Sequence, residues 1–250
     1  MAERDPSCRD FGPSEDLLRN SGGKGGGRIS RLAFWQRLAQ DLTSINQEYY
    51  LKTGYYLLFE GKLPELLRKP FDSFLLKTFR INVFDNDYWP DPPTGGWLLP
   101  DTWFSRINDM VRTCFVVKYL DGVQFLASQL SQRSSDAGYT CRVDYEAKEE
   151  GYYAAHFYTC FPCEIPRQDW DTRDEVIPIE MQITTQLQEV IRRLLHTYYE
   201  RRRGDRSSTD LKWQWDYKSE EFGANYLGHI LHYLEGMIME VRDKIPRGQD

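Results

Sequence analysis

The 250-residue sequence contains no apolar run approaching the roughly 18 residues that a membrane span requires, and its first residues, MAERDPSCRDFG, lack the basic start and apolar stretch of a signal peptide. Both absences are expected of a cytoplasmic protein with no membrane partner. Cysteine is scarce: the five present are an odd number without framework spacing, so free thiols in a reducing compartment are expected. Cys160 and Cys163 form a lone CxxC, and without a second pair of ligands it does not make a zinc site. An excess of basic residues is also missing. The net charge of −6 argues against indiscriminate nucleic-acid binding, whose affinity comes from neutralising many phosphates. One local cluster opposes that balance: Arg192, Arg193, Arg201, Arg202, Arg203 and Arg206. The glycine run SGGKGGG at 21–27 has no strand before it and no GK[ST] after it, which removes a phosphate loop. Residues 1–30, rich in Gly, Ser and charge, read as a flexible tail, and residues 31–245 as one catalytic domain with helical additions at both ends.

Within that domain, residues 31–67 carry a helical pattern with Leu32, Trp35, Leu38, Leu42 and Ile45 as its core stripe. The Pro-, Trp- and Gly-rich stretch 86–103 is too punctuated for a regular element and reads as a long loop, a common place for function. VRTCFVVKY at 111–119 predicts a strand buried on both faces. A helix from 121 to about 132 follows, then two strands that form a hairpin turning near 148–151. In VIPIEMQITT, Ile177, Ile179, Met181 and Ile183 face one side, and Glu180, Gln182 and Thr184 the other. Two helices finish the chain. Their apolar stripes are Leu187, Val190, Ile191, Leu194 and Leu195 in the first, and Phe222, Tyr226, Ile230, Tyr233, Met237 and Val241 in the second. The order implies an α/β (α+β) fold, a mixed sheet covered by helices.

Four segments carry candidate chemistry. In LLRKPFDSFLLKTFR, Pro70 suits the first position of a helix, and Lys69, Ser73, Lys77 and Arg80 recur at spacings of four, four and three. Two cations, a hydroxyl and an arginine on one face at a helix amino terminus suit a polyphosphate; a solvated basic face is the alternative. Asp109 stands just before a buried strand with Arg112 three residues on, where a carboxylate is a common Mg²⁺ ligand or a plain turn residue. Tyr152 and His156 share a strand face roughly 13 Å apart, too far to meet one small group. Glu180 and Gln182 sit roughly 7 Å apart on the polar face of an apolar strand. A glutamate there needs a cation or hydrogen-bonding partners to offset its desolvation, which favours metal binding or catalysis over a structural salt bridge.

In this order the four segments resemble the synthetase domain of the RelA/SpoT family. The matches are KxxxSxxxK at Lys69, Ser73 and Lys77, IxDxxR at 107–112, GYxxxH at 151–156, and ExQIxT at 180–185. With no hydrolase half, the chain is most similar to the small alarmone synthetases, and among them to the toxic branch paired with antitoxins. The resemblance implies a nucleotidyltransferase-like fold and an enzyme that moves the β,γ-pyrophosphate of ATP to a ribose 3′-hydroxyl. It implies that Lys69, Ser73, Lys77, Arg80 and Arg112 bind the ATP phosphates, and that Asp109 and Glu180 hold Mg²⁺. Tyr152, His156 and Gln182 would meet the acceptor. Three positions depart from the family pattern: Leu67 and Cys114 stand where basic residues are common, and Thr184 replaces the arginine of QIRT.

The acceptor implied is either the 3′ end of deacylated tRNA or a purine nucleotide. The arginine stripe of Arg192, Arg193 and Arg201 favours tRNA, since an RNA acceptor stem needs a cationic path. A binding module that has lost turnover is the rival reading, and retention of both Asp109 and Glu180 argues against it. The loop 86–103 and LKWQWDY at 211–217 are candidate surfaces for an antitoxin.

Overall fold

The computed structural model describes residues 26–59, 61–99, 102–166, 172–202 and 212–245. The first helix, α1, spans Gly26–Thr53, beginning inside the stretch expected to be a tail and ending well before residue 67. Phe34, Leu38, Leu42, Ile45 and Tyr49 are its buried stripe, with Trp35 packed beside them, while the Leu32 side chain lies outside the described residues. The chain turns at Gly54, whose φ of 79° suits a residue without a Cβ. Asn46 then pins the returning segment by accepting from the backbone N–H groups of Leu57 at 2.8 Å and Leu58 at 3.1 Å.

A short edge strand, β1 (Leu67–Arg68), leads into α2 (Phe71–Phe79), which runs on into a π-turn, Arg80–Phe84. Pro70 is the residue before the helix rather than its first member, with an extended ψ of 144°. Among the described residues, 86–99 and 102 form no helix or strand, as expected, and Trp103 opens a short helix; the stretch is nonetheless tied down. Asn82 exchanges hydrogen bonds with the Leu98 backbone at 2.8 and 3.0 Å, and Arg106 of the short helix α3 (Trp103–Arg106) donates to the carbonyls of Gly96 and Trp97. Phe74, Leu98 and Ile107 form a small core of their own there.

The remaining elements are β2 (Val111–Val117), α4 (Leu120–Asp136), β3 (Cys141–Ala147), β4 (Tyr153–Pro166), β5 (Thr172–Thr185), α5 (Gln186–Arg202), a 3-10 turn (Trp213–Trp215) and α6 (Glu220–Lys244). The sheet has the order β1-β2-β5-β4-β3, antiparallel except where β2 runs parallel to β5. This is the mixed, mainly antiparallel α+β architecture the sequence implied. β2 is not buried on both faces: Thr113, Phe115 and Val117 are buried and the alternate residues are only half-buried. The buried side continues through Met181, Ile183, Phe157 and Ala155 and is covered by α1 and by Leu126, Ala127 and Leu130 of α4. The opposite side carries the polar residues of the strands.

The two C-terminal helices turn differently from their patterns. In α5, Gln188, Glu189 and Ile191 are buried, whereas Val190 and Leu194 are exposed; Leu195 lies outside the described side chains. In α6, Tyr226, Ile230, Tyr233, Met237 and Val241 face outward, and Gly228, Glu235 and Arg242 face in. Polar contacts explain this orientation. Arg242 donates to Asp121 at 3.0 and 2.9 Å and to the Tyr49 hydroxyl at 3.0 Å, locking α6 to α1 and α4. Gly228 packs backbone to backbone against Gly151, where a Cβ would lie 2.4 Å from the Gly151 carbonyl oxygen. No helix among the described residues is long and apolar enough to cross a membrane.

Candidate functional site

The polar side of the sheet is organised as rungs. Strand register places Arg142, Tyr158, Glu180 and Arg112 side by side across β3, β4, β5 and β2, and the next rung holds Asp144, His156, Gln182 and Cys114. Side chains paired in this way project from the same face. The alternation of VIPIEMQITT therefore delivers Glu180 to the middle of a polar surface, while Met181 and Ile183 anchor the same strand in the core beneath.

Glu180 is only 4 % exposed. Its Oε1 lies 2.5 Å from His156 Nδ1, 3.3 Å from Gln182 Nε2 and 3.5 Å from the Tyr158 hydroxyl. Among the described residues Oε2 accepts no hydrogen bond, and no lysine or arginine forms an ion pair with the carboxylate. With Glu180 ionised, His156 donates through Nδ1, and its Nε2 accepts from the Tyr152 hydroxyl at 3.1 Å. The result is a chain of hydrogen bonds from Tyr152 through His156 to Glu180. Tyr152 and His156 thus meet, contrary to the separation expected from their Cα spacing. Tyr152 stands between the tight turn Lys148–Gly151 and β4, and its ring reaches along the strand to the imidazole. Gly151 permits that turn with a φ of 77°, and a Cβ there would strike the Asn225 carbonyl at 2.4 Å. Burial pushes the Tyr152 hydroxyl well above its ordinary pKa, with Glu146 adding to the effect, so it remains a proton donor.

A second cluster sits at the start of β2. Lys69 continues from the sheet edge, its backbone N–H donating to the Met110 carbonyl at 3.0 Å, rather than standing on the α2 face. Lys77 comes from α2, and the two ammonium groups close on opposite oxygens of Asp109, Lys77 at 2.7 Å. Burial alone would push the Asp109 carboxyl up, but the hydrogen bonds and charges of Lys69 and Lys77 outweigh it and hold the group below the usual carboxylate range. Ser73 lies one turn before Lys77 on the same helix and is half-buried. Arg80 is not gathered here; its exposed guanidinium pairs with Asp85. Arg112 is half-buried on the Glu180 rung and makes no hydrogen bond or ion pair among the described residues.

The arginines of α5 are differently disposed from a free stripe. Arg192 and Arg193 both close on the buried Glu189, at 2.7 and 2.6 Å. Burial raises the Glu189 carboxyl, but these two arginines hold it below its ordinary range. The charge of Arg192 also acts on the Cys114 thiol and the Tyr152 hydroxyl, so this residue approaches the sheet site rather than turning away from it. The Arg201 and Arg202 side chains, and all of Arg203 and Arg206, lie outside the described residues. Cys114 itself is pushed up to about 11 by burial, which keeps it a thiol and removes it as a nucleophile.

Four residues near the site were not singled out from sequence. Tyr158 stands on the Glu180 rung, Arg142 stacks 4.7 Å from its ring, Glu146 Oε2 lies 3.5 Å from His156 Nε2, and Lys148 sits 5.2 Å over the Tyr152 ring. A signal for them existed: Arg142, Asp144 and Glu146 alternate in CRVDYEA, and Tyr158 is two residues from His156.

No group of three or more His, Cys, Asp and Glu side chains suited to a metal is assembled among the described residues. The two carboxylates expected to hold Mg²⁺ stand apart in their partners, Asp109 before β2 with a lysine on each oxygen and Glu180 in β5 with an Oε2 that accepts no hydrogen bond among the described residues; carboxylate oxygens are the donor type such an ion takes, one or two at a time beside phosphates and water.

No protein-family model matches the chain, and no characterised protein matches it by sequence. Solved structures do match by fold. Small alarmone synthetase 1 from Bacillus subtilis superposes with a TM-score of 0.57 at 15 % identity, covering 86 % of this chain and 94 % of that one. The same protein bound to its product pppGpp gives 0.57 at 16 %, covering 88 % and 95 %. A GTP pyrophosphokinase family protein from Streptococcus pneumoniae gives 0.50 at 18 %, covering 86 % and 89 %. The chain has the fold of the small alarmone synthetases.

Proposed function

We propose that the protein is an ATP-dependent pyrophosphokinase acting on a ribose 3′-hydroxyl, with a purine nucleotide as acceptor. The observation that carries this reading is Glu180. It is a buried carboxylate at the centre of a polar sheet face, bonded by His156 and Tyr158 and paired to no lysine or arginine among the described residues. Such a group can orient a hydroxyl and take its proton. In the reaction the 3′-oxygen bonds to the β-phosphorus of ATP and the bond from that phosphorus to the oxygen it shares with the α-phosphate breaks. AMP departs with that oxygen, and the hydroxyl proton passes to Glu180. Lys69 and Lys77 would turn from Asp109 to the triphosphate, and Ser73 and Arg112 would add a hydroxyl and a second cationic side. Asp109 and Glu180 Oε2 would hold Mg²⁺, which supplies neutralisation of the phosphate charge. On the acceptor wall Tyr152 and Tyr158 offer ring faces for a base, and Gln182 and His156 offer polar contacts for sugar and phosphate. Arg80, closed on Asp85, is left at the margin of this arrangement.

The tRNA 3′ end is the other acceptor implied by the sequence. Its support rested on Arg192, Arg193 and Arg201, and the first two are engaged by Glu189, so the free nucleotide is preferred. The toxic role and its antitoxin belong to the same proposal, as does a single catalytic domain at 31–245. The test is incubation with γ-labelled ATP, Mg²⁺ and one of GDP, GTP, AMP or deacylated tRNA. Label should appear on a purine nucleotide, and label on tRNA alone would replace this acceptor. No transfer to any of them would leave a nucleotide-binding module. Growth arrest on expression of wild type but not of Glu180→Gln tests the toxic role.

A further inference from the structure

A cavity of about 440 Å³ lies at the end of the sheet, between the first residues of α4, the ends of β3 and β4 that flank the 148–151 turn, and α6. Tyr145, Ala147, Tyr153 and Thr185 line it, and all four share the parity of Ala155 and Ile183, so they project on the covered side of the sheet, away from Glu180. Glu146 is shared between the two sides: it lines the cavity, and its Oε2 lies 3.5 Å from His156 Nε2. The volume is that of a small-molecule pocket, about 300–1,000 Å³. One wall is set in advance. The rings of Tyr153 and His232 stack in parallel at 3.6 Å, and the Tyr153 hydroxyl is tied to His229 at 2.8 Å. Leu120, Val123, Ala154 and Met239 give the remainder a largely apolar surface.

The charge around this space is of one sign. Asp121 and Glu146 line it, and no lysine or arginine does. Asp121 is closed on Arg242, whereas Glu146 is joined to Lys148 by a 2.9 Å surface pair that a stronger partner can displace, since the Lys148 side chain is 54 % exposed. Behind His232 stands a third carboxyl, Glu235, which is buried. Its Oε2 lies 3.8 Å from His232 Nδ1 and accepts no hydrogen bond, and no lysine or arginine pairs with it among the described residues. Burial pushes the Glu235 carboxyl above its ordinary range, partly offset by a hydrogen bond from Thr185. Burial and the neighbouring His229 hold the His232 imidazole below its own range, so at neutral pH it does not supply the missing positive charge. Apolar walls, an acidic lining and an uncompensated carboxyl behind them are complementary to a cation on an apolar body. An anion would meet only carboxylates there.

We propose that this cavity is a binding site for a small amine with an aromatic or aliphatic body, the ammonium paired with Glu146 and the body against Val123, Tyr153 and Met239. The ammonium takes the place of Lys148 on Glu146 and brings a counter-charge to the wall in front of Glu235. Occupancy does not depend on the transfer reaction, and a protein inactive with every acceptor would still bind the amine. The probe is 4-phenylbutylamine, with 4-phenylbutanol and 4-phenylbutyrate as its neutral and anionic counterparts, each titrated into the full chain by calorimetry and by saturation-transfer NMR. The amine should bind with a Kd below about 1 mM and about tenfold more tightly than the alcohol, and the carboxylate more weakly than either. Glu146→Gln should bring amine and alcohol to within about twofold of each other. Ala147→Trp, on an exposed strand end, should fill the space and weaken both, with unchanged far-ultraviolet circular dichroism. The ranking of the three probes in the wild-type protein tests the charge preference even if Glu146→Gln does not fold. No binding of the amine at about 5 mM, equal binding of amine and alcohol, or amine binding indifferent to Ala147→Trp overturns the proposal.

Discussion

Asp109 and Glu180 are both carboxylates on the polar side of one sheet, and their surroundings are opposite. Asp109 sits at the sheet corner with a lysine on each oxygen, and that charge compensation holds it ionised. Glu180 sits on the central strand, more deeply buried, with His156, Tyr158 and Gln182 around one oxygen and no lysine or arginine paired to it among the described residues. The first arrangement can exchange partners: an anion that displaces Asp109 from the lysines inherits two positive charges already in place. The second can exchange protons or bind a cation, because among the described residues no lysine or arginine is ion-paired to it and its Oε2 accepts no hydrogen bond. The contrast assigns phosphate binding to the corner and proton handling to the strand.

The largest expected effect tests the strand. Glu180→Gln keeps the shape and a hydrogen-bonding partner for His156 but removes the charge and the proton acceptor. It should lower pyrophosphate transfer by about 10³-fold with little change in ATP affinity, read by label transfer and by nucleotide titration. Wild-type kcat in this variant would end the distinction between the two carboxylates. The corner should behave differently. Lys69→Met or Lys77→Met should raise the KM for ATP by about tenfold, with a smaller loss in kcat, because these side chains contact phosphate in ground state and transition state alike. Equal losses in kcat for corner and strand variants would merge the two regions into one function.

The strand half of this site was the more legible in the sequence. A strict alternation in 176–185 fixes which residues share a face, and β5 obeyed it because Met181 and Ile183 must be buried. The corner was legible only as a spacing. Lys69 and Lys77 lie on different elements, and what joins them is Asp109, about thirty to forty residues away in the chain, a contact no local period encodes. Tyr152 and His156 were placed apart because Cα spacing ignores the reach of a tyrosine ring along a strand. The C-terminal helices show the same limit at larger scale. Periodicity found the apolar face of α6 but not its direction, which is set by long-range polar contacts of Arg242 with Asp121 and Tyr49 and by the Gly151–Gly228 approach. Helix α1 had no such competitor, and its stripe went inward.

The smallest effect is one of stability, and it isolates the corner from the chemistry. Asp109 has a folded-state pKa below its ordinary value of 3.8, so the unfolded chain takes up the proton more readily than the folded one. Its stabilising contribution is fully present above that ordinary value and is lost as pH falls through the lower folded value. Asp109→Asn removes the charge and leaves Lys69 and Lys77 facing each other without a counter-ion, at an expected cost of about 1–3 kcal/mol at pH 7. Below the folded pKa the wild-type carboxyl is itself protonated and nearly equivalent to the amide. The difference between wild type and variant in urea unfolding should therefore shrink steadily as pH drops below about 4. Glu189, also held low by Arg192 and Arg193, titrates in a neighbouring window and will leave a residual acid dependence in Asp109→Asn. Adding Glu189→Gln should flatten what remains. A difference that stays constant from pH 7 to the acid limit would mean that the lysines do not stabilise the Asp109 charge, and the corner would then have no pre-formed cationic site to offer a phosphate.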